Sequence, residues 1–126
     1  MLEGLSLEGK VVVITGGGTG LGRAMVHFLA RAGASLCIAG RRLGPIEEAA
    51  AEVTKLGGAA IAVSTDVTDS GQVDRLISSA VDHFGNIDVL ISNAGAVQDN
   101  VRKPIWDHTD EDWHRVMDVN LSGAIF

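Results

Sequence analysis

The stretch that decides the fold is Val11-Val12-Val13-Ile14-Thr15-Gly16-Gly17-Gly18-Thr19-Gly20-Leu21-Gly22. Four β-branched residues in a row predict a buried strand, and the residues from Gly20 onward have the spacing of an amphipathic helix. The glycines between them suit a tight turn or a close approach of backbone to a ligand. Because a helix start offers unpaired N–H groups and a positive dipole end, the whole stretch predicts a phosphate-binding turn. The alternative is a plain flexible loop.

Composition limits the classes of protein that this chain fits. With 126 residues, 46% of them hydrophobic and a net charge of −6, it predicts one globular domain and disfavours nucleic acid as a partner. The single cysteine excludes an intrachain disulfide, and the four histidines show no metal-ligand spacing. No basic leader and no stretch of membrane-spanning length is present. We therefore expect a soluble, cytoplasmic protein with no bound metal and no membrane contact.

Strand and helix patterns alternate along the chain. Short apolar runs predict strands, and amphipathic stretches that end at glycine predict helices. The predicted strands are Lys10–Thr15, Ser35–Ala39, Ala59–Ser64 and Ile87–Ser92, and the predicted helices are Gly20–Ala32, Leu43–Leu56, Ser70–Phe84 and one from near Thr109 to the end, after a loop over 93–108. Apolar strands separated by helices are typical of a parallel sheet covered on both faces. The sequence therefore predicts a doubly wound, Rossmann-like α/β sheet of about four strands.

The helical spacing also predicts which helix faces are buried. In the first helix the apolar stripe comprises Leu21, Met25, Phe28, Leu29 and Ala32. In the second helix the stripe runs as far as Leu56, and Thr109 has the spacing of a capping box with Asp112.

The second predicted strand ends in Ala39-Gly40-Arg41-Arg42. In a dinucleotide-binding fold, an acidic residue at this place binds the 2′-hydroxyl of the adenosine ribose, whereas arginine suits a 2′-phosphate. Gly40 stands where the acid would be, and guanidinium groups match phosphate in bidentate fashion. The pair favours NADP(H) over NAD(H). The alternative is that Arg41 and Arg42 are a solvated pair that leads into the next helix.

Polar residues also follow the third and fourth strands. Asp66 could accept a hydrogen bond from an adenine amino group, or it could serve as a turn or helix-capping residue. Asn93 precedes the small residues Ala94 and Gly95, and its amide can bond the backbone of neighbouring strands. The alternative for this segment is a plain turn.

Asn120 is an unusual residue for its predicted position. It lies at helical spacing with Trp113, Val116, Met117 and Ala124, which predicts that it shares their apolar face. Because a buried amide needs hydrogen-bond partners, Asn120 is either a satisfied core amide or part of a site.

In their order along the chain, these motifs resemble the N-terminal half of a short-chain dehydrogenase/reductase. The matching segments are Leu7-Glu8-Gly9-Lys10-Val11, Thr15-Gly16-x-x-x-Gly20-x-Gly22, Asp66-Val67, Asn93-Ala94-Gly95 and Val119-Asn120. The resemblance implies hydride transfer between NADP(H) and a small carbonyl or alcohol substrate. It implies that Gly16, Gly20 and Gly22 surround the pyrophosphate, with Thr15 and Leu21 in the same turn. It further implies that Asp66 and Val67 hold adenine, that Asn93 stabilises the sheet, that Ala94 and Gly95 flank the cofactor and that Asn120 is the first member of an Asn-Ser-Tyr-Lys catalytic set.

One departure from the family pattern limits what we expect of these residues. The family uses a tyrosine as general acid/base and a lysine that lowers its pKa, and this sequence contains no tyrosine. We therefore expect residues 1–126 to form a dinucleotide-binding domain, truncated before the Tyr-x-x-x-Lys region, from an enzyme that is homo-oligomeric at full length. Two alternatives are a non-catalytic dinucleotide-binding fragment and an interaction piece that uses its last, apolar helix.

Overall fold

The computed structural model describes residues 4–96 and 103–126. Strands and helices alternate in it as the sequence predicts. Their bounds are β1 Val11–Thr15, α1 Gly20–Arg31, β2 Ser35–Gly40, α2 Leu43–Lys55, β3 Ala60–Ser64, α3 Ser70–Phe84, β4 Val89–Ile91, α4 Asp110–Met117 and α5 Gly123–Ile125. A 3-10 turn at Ile105–Asp107 precedes α4, and a π-helical segment at Asp118–Ser122 joins α4 to α5. Residues 97–102 of the predicted loop lie outside the described residues.

The four strands form one parallel sheet in the order β3-β2-β1-β4. Val13 in the middle of β1 is in register with Cys37 of β2 and Leu90 of β4. The chain therefore moves outward from β1 to β3 and then crosses back to the other side of β1. This order confirms the predicted doubly wound α/β fold and puts its topological switch point between β1 and β4.

Helices cover both faces of the sheet because successive strand residues point to opposite sides. One core cluster joins β1 and β2 to α1 and α2, and the other joins them to α3. Cys37 belongs to the second cluster, and its burial raises the pKa of the thiol to about 11. It is therefore a core residue, as its apolar neighbours predict.

The predicted stripe of α1 is confirmed in part: Met25 and Leu29 pack against the core, but two other members do not. Leu21 is 80% exposed and Phe28 is 73% exposed, whereas the buried residues of α1 are Gly22 and Val26. Gly22 lies against the carbonyl oxygen of Gly16, so the helix approaches the glycine turn most closely at a residue without a side chain. Leu56 is likewise exposed, because α2 ends at Lys55 and Leu56 is only its C-terminal cap.

Residues 105–126 form the last helical region. Its regular α-helix begins at the predicted cap, Thr109, and then gives way to the π-helical segment and the short α5. Thr109 and Asp112 form the capping box, in which each side chain accepts a hydrogen bond from the other residue's backbone N–H. Large apolar side chains of this region are exposed, among them Trp106, Trp113 and Ile125. In the part of the chain that the structure describes, no helix is long and apolar enough to cross a membrane.

Candidate functional site

A cleft of about 150 Å³ opens at the carboxyl ends of β1, β2 and β3. Open α/β sheets bind ligands at this edge, beside the topological switch point. The cleft brings together predicted residues from four separate loops, namely Thr15, Gly16, Arg41, Arg42, Asp66, Val67, Ala94 and Gly95. Gly20, Leu21, Gly22, Asn93 and Asn120 do not line it.

The glycine turn is fixed between its neighbours. Gly16 has a φ of +68° and Gly20 a φ of +56°, in the left-handed region that favours glycine. The N–H of Gly17 donates to the carbonyl oxygen of Ala39 at 3.2 Å, which ties the turn to β2. At Gly18 an added Cβ would lie 3.0 Å from the Cβ of Pro45, so the turn also packs on α2. The turn is therefore a defined structure and not a loose loop.

The start of α1 leaves backbone donors available to a ligand. Its N-terminal cap is Thr19, whose side chain makes no capping hydrogen bond, and the first turn contains no acidic residue. Thr19 and Gly18 both line the cleft. A twelve-residue helix therefore presents its positive end at the cleft without a side-chain acceptor of its own.

Gly22 and Asn93 support the turn from outside the cleft. A Cβ at Gly22 would overlap the carbonyl oxygen of Gly16 and lie 2.6 Å from the side-chain nitrogen of Asn93. That nitrogen donates to the carbonyl oxygens of Thr15 at 3.1 Å and Gly16 at 3.2 Å. In return, the hydroxyl of Thr15 accepts from the backbone N–H of Asn93 at 3.1 Å and of Ala94 at 3.0 Å. These bonds join the ends of β1 and β4, the two strands at the switch point.

Arg41 and Arg42 lie at the β2 side of the cleft, and both are exposed. Arg42 is the N-terminal cap residue of α2, which has no side-chain cap and no acidic residue in its first turn. Among the described residues, neither guanidinium is within 4.0 Å of a carboxylate oxygen. Positive charge is unfavourable at the N-terminal, positive end of a helix dipole, and both arginines lie at that end of α2. This corner of the cleft therefore favours an anionic ligand.

Asp66 serves both as a turn residue and as part of the cleft wall. Its Oδ1 accepts from the backbone N–H of Thr68 at 2.9 Å and from the Thr68 hydroxyl at 2.7 Å. These bonds, with a weaker attraction to Arg41, lower the pKa of the Asp66 carboxyl below its ordinary value, so it is ionised at neutral pH. The N-terminal cap of α3 is Asp69 and not Asp66. Asp66 is therefore a turn residue, which was one of the two interpretations of the sequence, and it also lines the cleft.

Asn120 is not on a buried face, contrary to the sequence-based expectation. It lies within the π-helical segment and is exposed, as are Trp113 and Ala124 of the same predicted face. Its side chain is nevertheless paired. Its Oδ1 accepts from the N–H of Ala96 at 3.0 Å, and its Nδ2 donates to the carbonyl oxygen of Ala96 at 2.8 Å. Asn120 thus ties the last helical region to the loop after β4, beside Gly95.

Eight further residues that line the cleft were not among the predicted site residues. They are Gly18, Thr19, Ala39, Gly40, Pro45, Ile46, Thr65 and Val119. Gly18 and Thr19 could have been included, because they belong to the glycine turn itself. Pro45 and Ile46 could not, since they reach the cleft only through the packing of α2 on Gly18 and Gly40. Within residues 4–96 and 103–126, no group of three or more His, Cys, Asp or Glu side chains is arranged to hold a metal ion.

Comparison with known proteins agrees with the fold. A Rossmann-type sheet with a cleft at its switch point is a nucleotide-binding architecture. The family model described as short chain dehydrogenase matches residues 10–126, so the chain belongs to that family. Members of this family are oxidoreductases that use a nicotinamide dinucleotide, which confirms the resemblance noted in the sequence.

Curated relatives are reductases and dehydrogenases of small molecules. The chain is 38% identical over 122 residues to a hydroxynaphthalene reductase-like protein, Arp2, of Metarhizium brunneum, covering 96% of this chain and 45% of that protein. It is 37% identical over 122 residues to a sorbitol dehydrogenase of Cereibacter sphaeroides, covering 97% of this chain and 45% of that protein. The chain thus spans about half the length of the curated relatives it matches.

Solved structures of a reductase and of a dehydrogenase/reductase share the fold of this chain. A 3-ketoacyl-(acyl-carrier-protein) reductase from Brucella melitensis, complexed with NADH, superposes with a TM-score of 0.88 at 35% identity, covering 95% of this chain and 47% of that one. A short-chain type dehydrogenase/reductase from Mycobacterium marinum superposes with a TM-score of 0.90 at 31% identity, covering 96% of this chain and 48% of that one.

Proposed function

We propose that the protein is an NADP(H)-dependent oxidoreductase that transfers a hydride between the nicotinamide and a carbonyl or alcohol carbon of a small molecule. The observation that carries this proposal is the cleft, which has the start of α1 at one side and two arginines, with no acid at Gly40, at the other. In this proposal residues 1–126 are the dinucleotide-binding domain of the enzyme.

The glycine turn and the start of α1 are proposed to hold the pyrophosphate. Support comes from the free N–H groups of the first helical turn and from the left-handed backbone of Gly16 and Gly20. Gly22 and Leu21 contribute as part of the turn's framework, since neither lines the cleft. Thr15 and Asn93 are proposed to keep the turn in register with β4 through their mutual hydrogen bonds.

Arg41 and Arg42 are proposed to bind the 2′-phosphate that distinguishes NADP(H) from NAD(H). Support comes from the absence, among the described residues, of a carboxylate oxygen within 4.0 Å of either guanidinium and from their position at the start of α2. A dianionic phosphate there would interact favourably with both guanidinium groups and with the helix dipole. The Brucella melitensis reductase was crystallised with NADH, so both cofactors belong in the test.

Asp66 and Val67 are proposed to hold the adenine, and Ala94 and Gly95 to flank the dinucleotide. Asp66 and Val67 line the cleft beside Arg41, and the ionised Asp66 can accept a hydrogen bond from an amino group. When bound, the cofactor would supply or accept the hydride; the chain's own residues bind and orient it.

Asn120 is proposed to take part in the catalytic set of the complete enzyme. Support comes from its pairing with Ala96, which places it against the loop that follows Gly95 at the cleft. The other expectations for the complete enzyme also remain proposals: a homo-oligomer, with a cytoplasmic location and no nucleic-acid partner. The exposed apolar side chains of the last helical region support association.

Titration of the purified protein with NADP⁺ and with NAD⁺, followed by calorimetry, tests the proposal. We expect NADP⁺ to bind and NAD⁺ to bind more weakly. If neither binds, the proposed dinucleotide site is wrong, and the interaction-piece alternative gains support from the exposed Trp106 and Trp113. If NAD⁺ binds as tightly as NADP⁺, the cleft is a dinucleotide site but the role given to the arginines is wrong.

A further inference from the structure

The side chain of Gln72, in the first turn of α3, is bonded to the backbone of Asp66. Its Oε1 accepts from the N–H of Asp66 at 2.8 Å. Its Nε2 donates to Oδ2 of Asp69 at 3.2 Å, and its own backbone N–H donates to Oδ1 of Asp69 at 3.2 Å. Because an N–H must meet an acceptor and a carboxylate must meet a donor, these partners fix the orientation of the Gln72 amide.

Asp66 is thereby held from two sides. Gln72 holds its backbone, and Thr68 occupies Oδ1 with two hydrogen bonds. Among the described residues, no protein group donates to Oδ2. One carboxylate oxygen of a residue in the cleft wall is therefore left as an acceptor, on a loop whose backbone and side chain are both anchored.

A fixed carboxylate discriminates between bases by the group that the base presents. A carboxylate can only accept, so it attracts an exocyclic amino group and repels a carbonyl oxygen at the same position. Such discrimination depends on geometry, because a mobile carboxylate can turn away from the mismatched group. Adenine carries the amino group and hypoxanthine the carbonyl.

We propose that Gln72 is a positioning residue for base recognition, which holds Asp66 so that the site selects adenine over hypoxanthine. This inference rests on the proposed function, since it needs the dinucleotide to occupy the cleft. Gln72 need not touch the ligand, and it acts through the backbone of Asp66.

The test compares the affinities of NADP⁺ and of its hypoxanthine analogue in the purified protein and in three variants. Gln72→Met removes the acceptor at similar length. The double variant Asp69→Asn/Gln72→Glu retains an oxygen acceptor for the Asp66 N–H, and the amide introduced at position 69 supplies the donor that keeps two carboxylates from facing each other. Ser70→Gly is the matched control, because it weakens the same helical turn without removing the Gln72–Asp66 bond. The thermal midpoint of each variant is measured beside its affinities, so that loss of folding is separated from loss of selectivity.

The wild type is expected to prefer NADP⁺ by about tenfold or more, the value of a hydrogen bond to a charged group. Gln72→Met should lower that preference at least about threefold, while Asp69→Asn/Gln72→Glu and Ser70→Gly retain most of it. Two results would overturn the positioning role and leave the proposed function standing. One is an unchanged preference for NADP⁺ in Gln72→Met. The other is an equal loss of that preference in Ser70→Gly, when the two variants have the same thermal midpoint. If Gln72→Met does not fold, loss of the preference in the double variant Asp69→Asn/Gln72→Glu overturns the positioning role. Wild-type binding without base preference also overturns it, whereas no binding of NADP⁺ overturns the proposed function with it.

Discussion

Replacement of Arg41 by alanine should weaken the binding of NADP⁺ far more than that of NAD⁺. Arg41 lines the cleft at the start of α2 and is exposed. The two cofactors differ only in the 2′-phosphate, so any contribution of this guanidinium to selectivity is the difference between the two affinities. The ratio of the affinities therefore measures the proposed contact.

The size of the effect follows from charge and exposure. A unit charge about 4 Å from another is worth about 1 kcal/mol in water and about 4 kcal/mol at an effective dielectric constant of about 20. Mutational values for hydrogen bonds to charged groups lie at about 1.5–3 kcal/mol. Because Arg41 is exposed, solvent screening favours the lower half of that range. We expect about 1.5–2 kcal/mol, which is a loss of roughly ten- to thirtyfold in NADP⁺ affinity.

Charge and geometry can be separated by two further variants. Arg41→Lys keeps the charge but loses the bidentate geometry, so its loss should be intermediate. Arg31→Ala removes the same charge from an exposed position in the last turn of α1, outside the cleft, and should leave the ratio unchanged.

Calorimetry with both cofactors, at low and at physiological salt, provides the assay. The selectivity should shrink with salt, because an exposed ion contact is screened. An equal loss for NADP⁺ and NAD⁺ in Arg41→Ala would refute the reasoning, since it would mean that Arg41 supports the fold of the loop and does not read the 2′-phosphate.

Three other outcomes follow from the same site. Gly16→Val should abolish NADP⁺ binding in calorimetry, because Gly16 has a φ of +68° and an added Cβ would lie 2.9 Å from the Asn93 amide nitrogen; unchanged affinity would contradict this. Because the pKa of Asp66 is lowered in the folded protein, its ionised form should stabilise the fold at pH values above the ordinary pKa of 3.8, and this stabilisation should be lost as the pH falls through the folded-state pKa. Thr68→Val removes one of the hydrogen bonds that lower this pKa, so the difference in urea-unfolding free energy between wild type and Thr68→Val should narrow on acidification. A difference that does not depend on pH would count against this role of Asp66. A polypeptide of these 126 residues, which contain no tyrosine, should bind NADP⁺ without oxidising NADPH when offered carbonyl compounds, and measurable loss of nicotinamide absorbance would contradict this.

The order of the elements could be predicted because the signals for strands and for helix ends are local. The run Val11 to Ile14 is apolar on both faces, as a central parallel strand must be, and β1 is entirely buried. Thr109 and Asp112 needed only their three-residue spacing to form a capping box. Both predictions hold because neither depends on a distant part of the chain.

Two predictions of burial failed for different physical reasons. Hydropathy put Leu21 and Phe28 on the buried face of α1, but Gly22 is at the point of closest approach and turns both leucine and phenylalanine toward solvent. A glycine contributes nothing to an apolar stripe, so the periodicity included Met25 and Leu29, which do pack on the core, but missed that the buried face is centred nearer Gly22 and Val26. For Asn120, the predicted face as a whole is not covered: Trp113 lies on the regular α-helix before the π-helical segment and is exposed as well, and periodicity alone does not show whether anything packs on a face.

The residues of the cleft also differ in whether they could be predicted from the sequence. The glycine turn, Gly40-Arg41-Arg42 and Asp66 could each be identified from neighbouring residues, because each motif carries its own chemistry. The hydrogen bond that holds the backbone of Asp66 could not be predicted from the sequence. Gln72 is recognised as its partner only in the structure, where the Gln72 Oε1 lies 2.8 Å from the Asp66 backbone nitrogen. Motif residues line the cleft, but the orientation of Asp66 depends on a polar side chain, Gln72, that belongs to no motif. Selectivity in this site should therefore change most on substitution of Arg41, which carries charge, and of Gln72, which fixes geometry.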